Sequence, residues 1–234
     1  MQHHGYSEPV IYRNPAQLLT LRDGPTGARA GAAMDNLGIC HNHSLVTRGG
    51  KIAWVGPSEE LDQKALGLGP EARVVECSGQ VVMPALCDSH THLVWGGNRL
   101  DELELRLQGA DYEQIFAAGG GILSSVRQTR ALDEESLYQQ SLARVRRMQR
   151  AGTTTVEIKS GYGLDLQTEL RQLRVAKRLR DDAGVRVVST CLAAHAIPSE
   201  FRGSPEGRKA FVALVCDEIL PAVAGEQLAS YCDV

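Results

Sequence analysis

Hydrophobic and polar positions change their spacing near residue 80. Before it, apolar residues come in short bursts divided by turn formers. Residues 44–48 and 51–55 flank Gly49-Gly50, a two-residue hairpin signal, because glycine accepts the positive φ that such turns need. Val74-Val75-Glu76-Cys77 reads as another short strand, closed by Ser78-Gly79, and residues 23–36, crowded with Gly, Pro, Asn and Asp, as a long turn or loop. From Val81 the texture is different. The apolar run Val81-Val82-Met83-Pro84-Ala85-Leu86 leads into Cys87-Asp88-Ser89-His90-Thr91-His92 and predicts a strand buried on both faces, as in a parallel sheet.

Strands and helices then alternate, the pattern of a parallel α/β sheet. A helix is expected over 133–150, with Tyr138, Leu142, Val145 and Met148 on one stripe, Asp133 as N-cap, Glu134 and Glu135 at the positive end of the dipole, and Gly152 closing it. Residues 153–158, rich in β-branched side chains, form the next strand. A helix over 165–182 turns Leu166, Leu170, Leu173 and Ala176 inward and stops at Gly184; a strand follows over 185–191. The last helix, 205–220, buries Phe211, Leu214, Val215 and Ile219 and is ended by Pro221, before a fourth strand starts at 231–234.

Composition narrows the function classes. The 234 residues carry 25 Lys and Arg against 28 Asp and Glu, a net charge of −3, so nothing points to nucleic acid or to an anionic membrane surface as a partner. No apolar stretch approaches membrane-spanning length, and the N-terminus has no basic region followed by a hydrophobic one. The six cysteines form no C-x-x-C pair and no dense framework, and are expected as reduced thiols of a cytoplasmic protein.

Candidate chemistry collects where the predicted strands end. His90 and His92 are two apart, so in an extended chain they project to one side, and two neutral imidazoles on one face can converge on a zinc ion. The alternative is a pair of polar strand-end histidines. His41-Asn42-His43 has the same spacing with no apolar run feeding it and is read as structural. After the second strand come Glu157, Lys159 and Tyr162, the last inside Ser160-Gly161-Tyr162-Gly163; after the third comes His195. Arg99 suits a carboxylate through its planar fork, or is a solvated loop arginine. Tyr162 either packs or aims its hydroxyl at a substrate, His195 is either a satisfied core histidine or a contact, and Tyr112 is a further pocket candidate. Gly119-Gly120-Gly121 is read as a flexible loop rather than a phosphate site, and Cys87 has no apparent base beside it.

Read as P-x-x-x-D-x-H-x-H, residues 84–92 resemble the first barrel strand of the amidohydrolase superfamily. H-T-H-L-V-W-G-G-N-R, A-A-G-G-G-I, V-E-I-K-S-G-Y-G-L-D-L and S-T-C-L-A-A-H-A-I-P resemble, in that order, the imidazolonepropionase family of histidine degradation. The resemblance implies an α/β fold: the N-terminal portion of a TIM-like (β/α)8 barrel over 81–234, preceded by part of a small β-sandwich domain over 1–80. It implies hydrolysis of the ring C–N bond of 4-imidazolone-5-propanoate to N-formimidoylglutamate, with one zinc ion, iron being the alternative, held in part by His90 and His92. It gives Arg99 to the substrate's propionate, Tyr162 to a substrate contact, and His195 to substrate binding and transition-state stabilisation. A third histidine and an aspartate ligand, and the glutamate that manages the proton, belong to later strands than this sequence contains. The carboxylated lysine of some amidohydrolases also belongs to a later strand, so Lys159 is not read as one.

An eight-stranded barrel takes about 250 residues, whereas about 150 follow Val81. The barrel is therefore expected to be incomplete, and residues 1–234 alone to aggregate or to need a partner half. A small-molecule substrate is expected, with a homodimer for the full-length enzyme. Another cyclic amidohydrolase or deaminase on the same scaffold, or a non-catalytic metal-binding module, are the rival readings.

Overall fold

The computed structural model describes residues 8–22, 27–64, 66–70, 72–117 and 119–234, without the side chains of 112, 116 and 117. It divides into two compact units, residues 1–84 and 85–234.

The first unit is built of β1 (Val10–Arg13), β2 (Gln17–Leu19), β3 (Ile39–Cys40), β4 (His43–Arg48), β5 (Lys51–Pro57), β6 (Arg73–Glu76) and β7 (Val81–Val82). They form two sheets, ordered β5-β4-β1-β6 and β3-β2-β7. The β4–β5 hairpin turns at Gly49 and Gly50 with φ of 57° and 73°, which explains the glycine pair. Ile11 sits opposite Val46 in the ladder, and both are fully buried. Of the stretch expected as a loop over 23–36, residues 23–26 lie outside the described residues, and Gly31–Asp35 makes a 3-10 turn.

The second unit holds β8 (Leu86–Thr91), α1 (Leu100–Leu107), α2 (Tyr112–Ala117), α3 (Ile122–Arg130), α4 (Glu134–Arg150), β9 (Thr153–Lys159), α5 (Leu166–Asp182), β10 (Arg186–Cys191), α6 (Pro205–Ala213), α7 (Leu220–Gly225) and β11 (Tyr231–Cys232). The four strands form one parallel sheet in sequence order. Helix α4 starts where its capping signal placed it, Asp133 accepting the Ser136 N–H at 2.7 Å, and α5 has a cap of the same kind in Asp165, which accepts the Thr168 N–H at 2.7 Å. Their apolar stripes, with Leu137, Val145, Ala176 and Leu179, pack on Val156, Ile158 and Val187 of the sheet. Because side chains alternate along a strand, Glu157 and Lys159 of β9 point away from those helices. Among the described residues no helix is long and apolar enough to cross a membrane.

Three expectations need correction. The apolar run from Val81 is two strands in two units, interrupted at Met83-Pro84-Ala85, where proline has no N–H to give a ladder. Nor is β8 buried on both faces: it is an edge of its sheet, with β9 as its one neighbour among the described residues, and Leu86 is half exposed. Gly119-Gly120-Gly121 is a loop, as expected, and it leads directly into α3 with Gly121 as its N-cap at φ 72°. Finally, Pro221 does not end the last helix. Leu214–Ile219 widens into a π turn in which the Leu220 N–H reaches Val215 O, and Pro221 sits in the first turn of α7. The widened turn just before it accommodates the proline, which has no N–H to give and whose ring would crowd a carbonyl one turn back in a regular α-helix.

Candidate functional site

A parallel sheet puts the C-terminal ends of its strands along one rim, where α/β barrels carry their sites. Here that rim gathers four rings. His90 ends β8 and His92 follows it, with ring centroids 5.8 Å apart at an interplanar angle of 61°. The connection after β9 lays the Tyr162 ring on His92, 4.7 Å between centroids and 26° between planes. The turn after β10 brings His195 to 4.7 Å from His92 and 6.0 Å from Tyr162. His92 is at the centre.

Burial sets the protonation states. The His92 imidazole is pushed down from 6.5 to about 4, first by burial and then by His195. Burial, followed by His90, also lowers His195, while burial raises the Tyr162 phenol. Both imidazoles are therefore neutral near pH 7. The Nδ1 atom of His92 is buried with no hydrogen-bond partner, the one such side-chain atom among the described residues. An orphaned neutral imidazole nitrogen beside a second histidine fits a metal, which takes histidine in that form. Two donors are what the described residues provide: no group of three or more His, Cys, Asp or Glu converges among them.

Beside the rings, His92, Trp95, Arg99, Ser125 and Tyr162 line a cleft of about 270 Å³. Arg99 precedes α1, and its Nε donates to Ser125 Oγ at 3.1 Å and lies 3.7 Å from Glu102 Oε1. Ser125 is buried on α3, so the guanidinium of Arg99, a lining residue of the cleft, is held through Nε, and its two terminal nitrogens make no hydrogen bond to a described residue. Trp95 is fixed from behind by Arg144, whose guanidinium lies 4.2 Å over the indole and donates to Leu93 O at 3.1 Å and Trp95 O at 2.7 Å. Tyr112 opens α2, but its side chain lies outside the described residues.

Lys159 donates to Glu157 Oε1 at 2.8 Å and Asp233 Oδ2 at 2.9 Å, and Thr190 Oγ1 donates to the same Glu157 oxygen at 2.6 Å. Those carboxylates raise the Lys159 ammonium, while burial of Glu157 is outweighed by its two donors and its carboxyl is lowered. A lysine held charged in this way is a poor candidate for carboxylation, which needs the free amine. In the other unit, His41 Nδ1 lies 3.0 Å from Ala16 O and His43 Nδ1 2.8 Å from His41 O, so both rings are engaged with backbone. All six cysteines are free thiols.

Sequence reasoning passed over Trp95, Ser125 and Glu102, and two residues of α5, Glu169 and Gln172, that touch the Tyr162 connection. A signal for the last two exists. They fall three residues apart on the helix face that carries Leu173 and Ala176, where a polar residue is out of place. Nothing comparable marks Trp95 or Ser125.

No family model matches the chain. Curated relatives do. It is 45% identical over 230 residues to an imidazolonepropionase of Mesorhizobium japonicum, covering 98% of this chain and 52% of that protein. It is 48% identical over 190 residues to one of Pseudomonas putida, 81% and 45% of the two chains, and 45% identical over 225 residues to one of Myxococcus xanthus, 96% and 51%. The chain thus spans about half the length of the curated relatives it matches. Among solved structures, a 5-methylcytosine deaminase from Klebsiella pneumoniae superposes with TM-score 0.51 at 15% identity, covering 90% of this chain and 41% of that one. An N-isopropylammelide isopropylaminohydrolase from Burkholderia multivorans does so with TM-score 0.50 at 23% identity, 92% and 43%. That likeness is one of fold.

Proposed function

We propose, for a chain related to the imidazolonepropionases, that it forms the first half of a metal-dependent (β/α)8-barrel site that hydrolyses the ring C–N bond of 4-imidazolone-5-propanoate to N-formimidoyl-L-glutamate in histidine degradation. The observation that supports this most directly is the juxtaposition of an arginine fork, a tyrosine ring and three histidines at one strand-end rim. In this reading residues 85–234 belong to the barrel and residues 1–84, with β7, to a small β-sandwich domain.

Each residue then has a task its environment suits. Arg99, with Nε tied to Ser125, turns its two terminal nitrogens to the substrate's propionate, a bidentate match for a carboxylate. Tyr162 closes over the bound ring from the side of His92. His195, kept neutral by burial, offers a ring N–H to the oxygen on which negative charge develops, without bringing a positive charge next to a cation. His90 and His92 would hold one zinc ion, iron being the alternative. An ion of this kind lowers the pKa of its bound water towards about 7 and polarises the bond under attack. The remaining donors and the proton-handling carboxylate are assigned to the half of such a protein that this chain does not span. The same reading makes the full-length enzyme a cytoplasmic homodimer acting on a small molecule.

The test is metal content together with turnover in the assembled protein. His90→Ala and His92→Ala should each strip most of the zinc and the activity, while His41→Ala and His43→Ala should do neither. Full metal occupancy in the His90→Ala/His92→Ala double variant would overturn the assignment.

A further inference from the structure

We propose that Glu169 and Gln172, on one face of α5, are positioning residues that set the Tyr162 ring against His92 and thereby fix the geometry of the ligand cleft. The proposal deepens the reading above and rests on it.

The connection from β9 to α5 is difficult backbone. Gly161 has φ of 106°, and Leu164, a fully buried non-glycine residue, has φ of 54°. Such a conformation persists only where the surroundings impose it. Glu169 imposes it. Its carboxylate, with the residue fully buried, accepts the N–H of Gly161 at 3.1 Å, of Gly163 at 2.8 Å and of Leu164 at 2.8 Å. Backbone amides curled in this way make a concavity for an oxygen acceptor, and the acceptor here is the protein's own carboxyl, which burial raises above the usual range of a glutamate. The glycines leave room for it. A Cβ on Gly163 would come within 2.6 Å of Glu169 N, and one on Gly161 within 2.8 Å of Leu192 O and 2.9 Å of His195 Cβ. Tyr162 is thus carried on a loop clamped between α5 and the His195 turn.

Gln172 completes the clamp. Its Oε1 accepts the Tyr162 N–H at 3.3 Å, and its Nε2 donates to Val94 O at 2.6 Å. Val94 is two residues past His92, so one buried amide joins the backbone of Tyr162 to the segment that leaves His92, on both sides of the 4.7 Å ring stack. Neither side chain reaches the cleft. Both decide where a residue that lines it stands.

The test separates placement from stability. Gln172→Leu and Glu169→Gln are compared with Tyr162→Ala and with the Gln172→Leu/Tyr162→Ala double variant. One readout is the His92 Cε1–H resonance, which senses the ring current of Tyr162. The other is the affinity for 3-(imidazol-4-yl)propanoate by calorimetry. Gln172→Leu is expected to move the resonance most of the way to its Tyr162→Ala position. It should also weaken the probe by about tenfold, the lower end of what loss of an outer hydrogen-bond partner costs a site, with no further loss once Tyr162 is gone. Glu169→Gln, whose N–H₂ would face the Gly161 N–H while its oxygen still accepts from Gly163 and Leu164, should move both readouts in the same direction by less; where it does not fold, Gln172→Leu carries the test. A lower unfolding midpoint with the resonance and the affinity unchanged would show a purely structural role and overturn the proposal. If the unsubstituted protein does not bind the probe, the hydrolase reading fails, and the resonance still decides the role of Gln172.

Discussion

Replacing Arg99 with methionine removes a fork that only its stem side holds. The Nε–Ser125 hydrogen bond of 3.1 Å and the 3.7 Å approach to Glu102 fix the guanidinium plane, leaving two terminal donors for a carboxylate. Hydrogen bonds to a charged partner contribute about 1.5–3 kcal/mol, which corresponds to about 10- to 150-fold in affinity. The side chain is 38% exposed, so water competes for both partners and the lower part of that range applies. Calorimetry with two probes isolates the effect: 3-(imidazol-4-yl)propanoate, which carries the carboxylate, and its primary amide, which does not. Arg99→Met is expected to weaken the acid by about tenfold and the amide by less than about twofold, with metal content unchanged. Arg99→Lys should recover only part of the loss, because a point charge does not reproduce two parallel donors. Equal losses for the two probes, or none, would refute the carboxylate assignment and return Arg99 to the solvated loop.

Three further outcomes are expected. Asp165→Ala, which removes the acceptor of the Thr168 N–H and hydroxyl, should cost about 0.5–2 kcal/mol in denaturant unfolding, with Asp165→Asn restoring most of it. Lys159→Met should raise the Glu157 carboxyl, now without its ammonium, in an NMR titration, and the unsubstituted chain should show no carbamate signal in 13C-bicarbonate. In the metal-free chain, folded His92 stays unprotonated down to about pH 4 while its unfolded imidazole takes a proton near 6.5, so unfolding takes up a proton across that window. Stability should therefore fall as pH drops from 6.5 to 4, His195 adding in the same direction, and His92→Phe should flatten the slope; an unchanged slope would contradict the burial of His92.

The regular parts of the fold were legible because local signals and tertiary packing agreed. Asp133 caps the helix it announces, and the Gly49-Gly50 turn has the conformation its glycines permit. The apolar run at Val81 misled because hydrophobicity does not reveal which neighbour a strand will have, and a proline in its middle outweighs the run. Helices α1–α3 were missed because they are short, and the glycines between them, Gly109 and Gly119 to Gly121, make the whole stretch read as loop. At the site, the residues that end strands stood out by type, and the structure brings His90, His92, Arg99, Tyr162 and His195 together. Glu169 and Gln172 are marked as polar residues on an apolar helix face, but their partners, 5 to 78 positions away, are not, and no local pattern announces that Ser125 meets Arg99 or that Trp95 walls the cleft.

The π turn at Leu214–Ile219 has a consequence for insertions and deletions. Phe211, Val215, Ile219 and Val223 are all buried, at a strict interval of four. In a uniform α-helix of 3.6 residues per turn, each four-residue step overshoots by about 40°, and three steps by about 120°. Such a stripe would wind off the core before its last residue. A widened turn takes more residues per revolution, so within it the same step falls short and cancels the drift. Losing one residue between Ala213 and Leu220 would restore an unbroken α-helix and leave Val223 near the stripe, because the roughly 100° removed with the residue offsets the drift; the cost would fall on Pro221, then inside a regular helix. A strict four-residue apolar interval around a proline is thus a readable mark of a helix that carries one residue more than an unbroken α-helix of the same register.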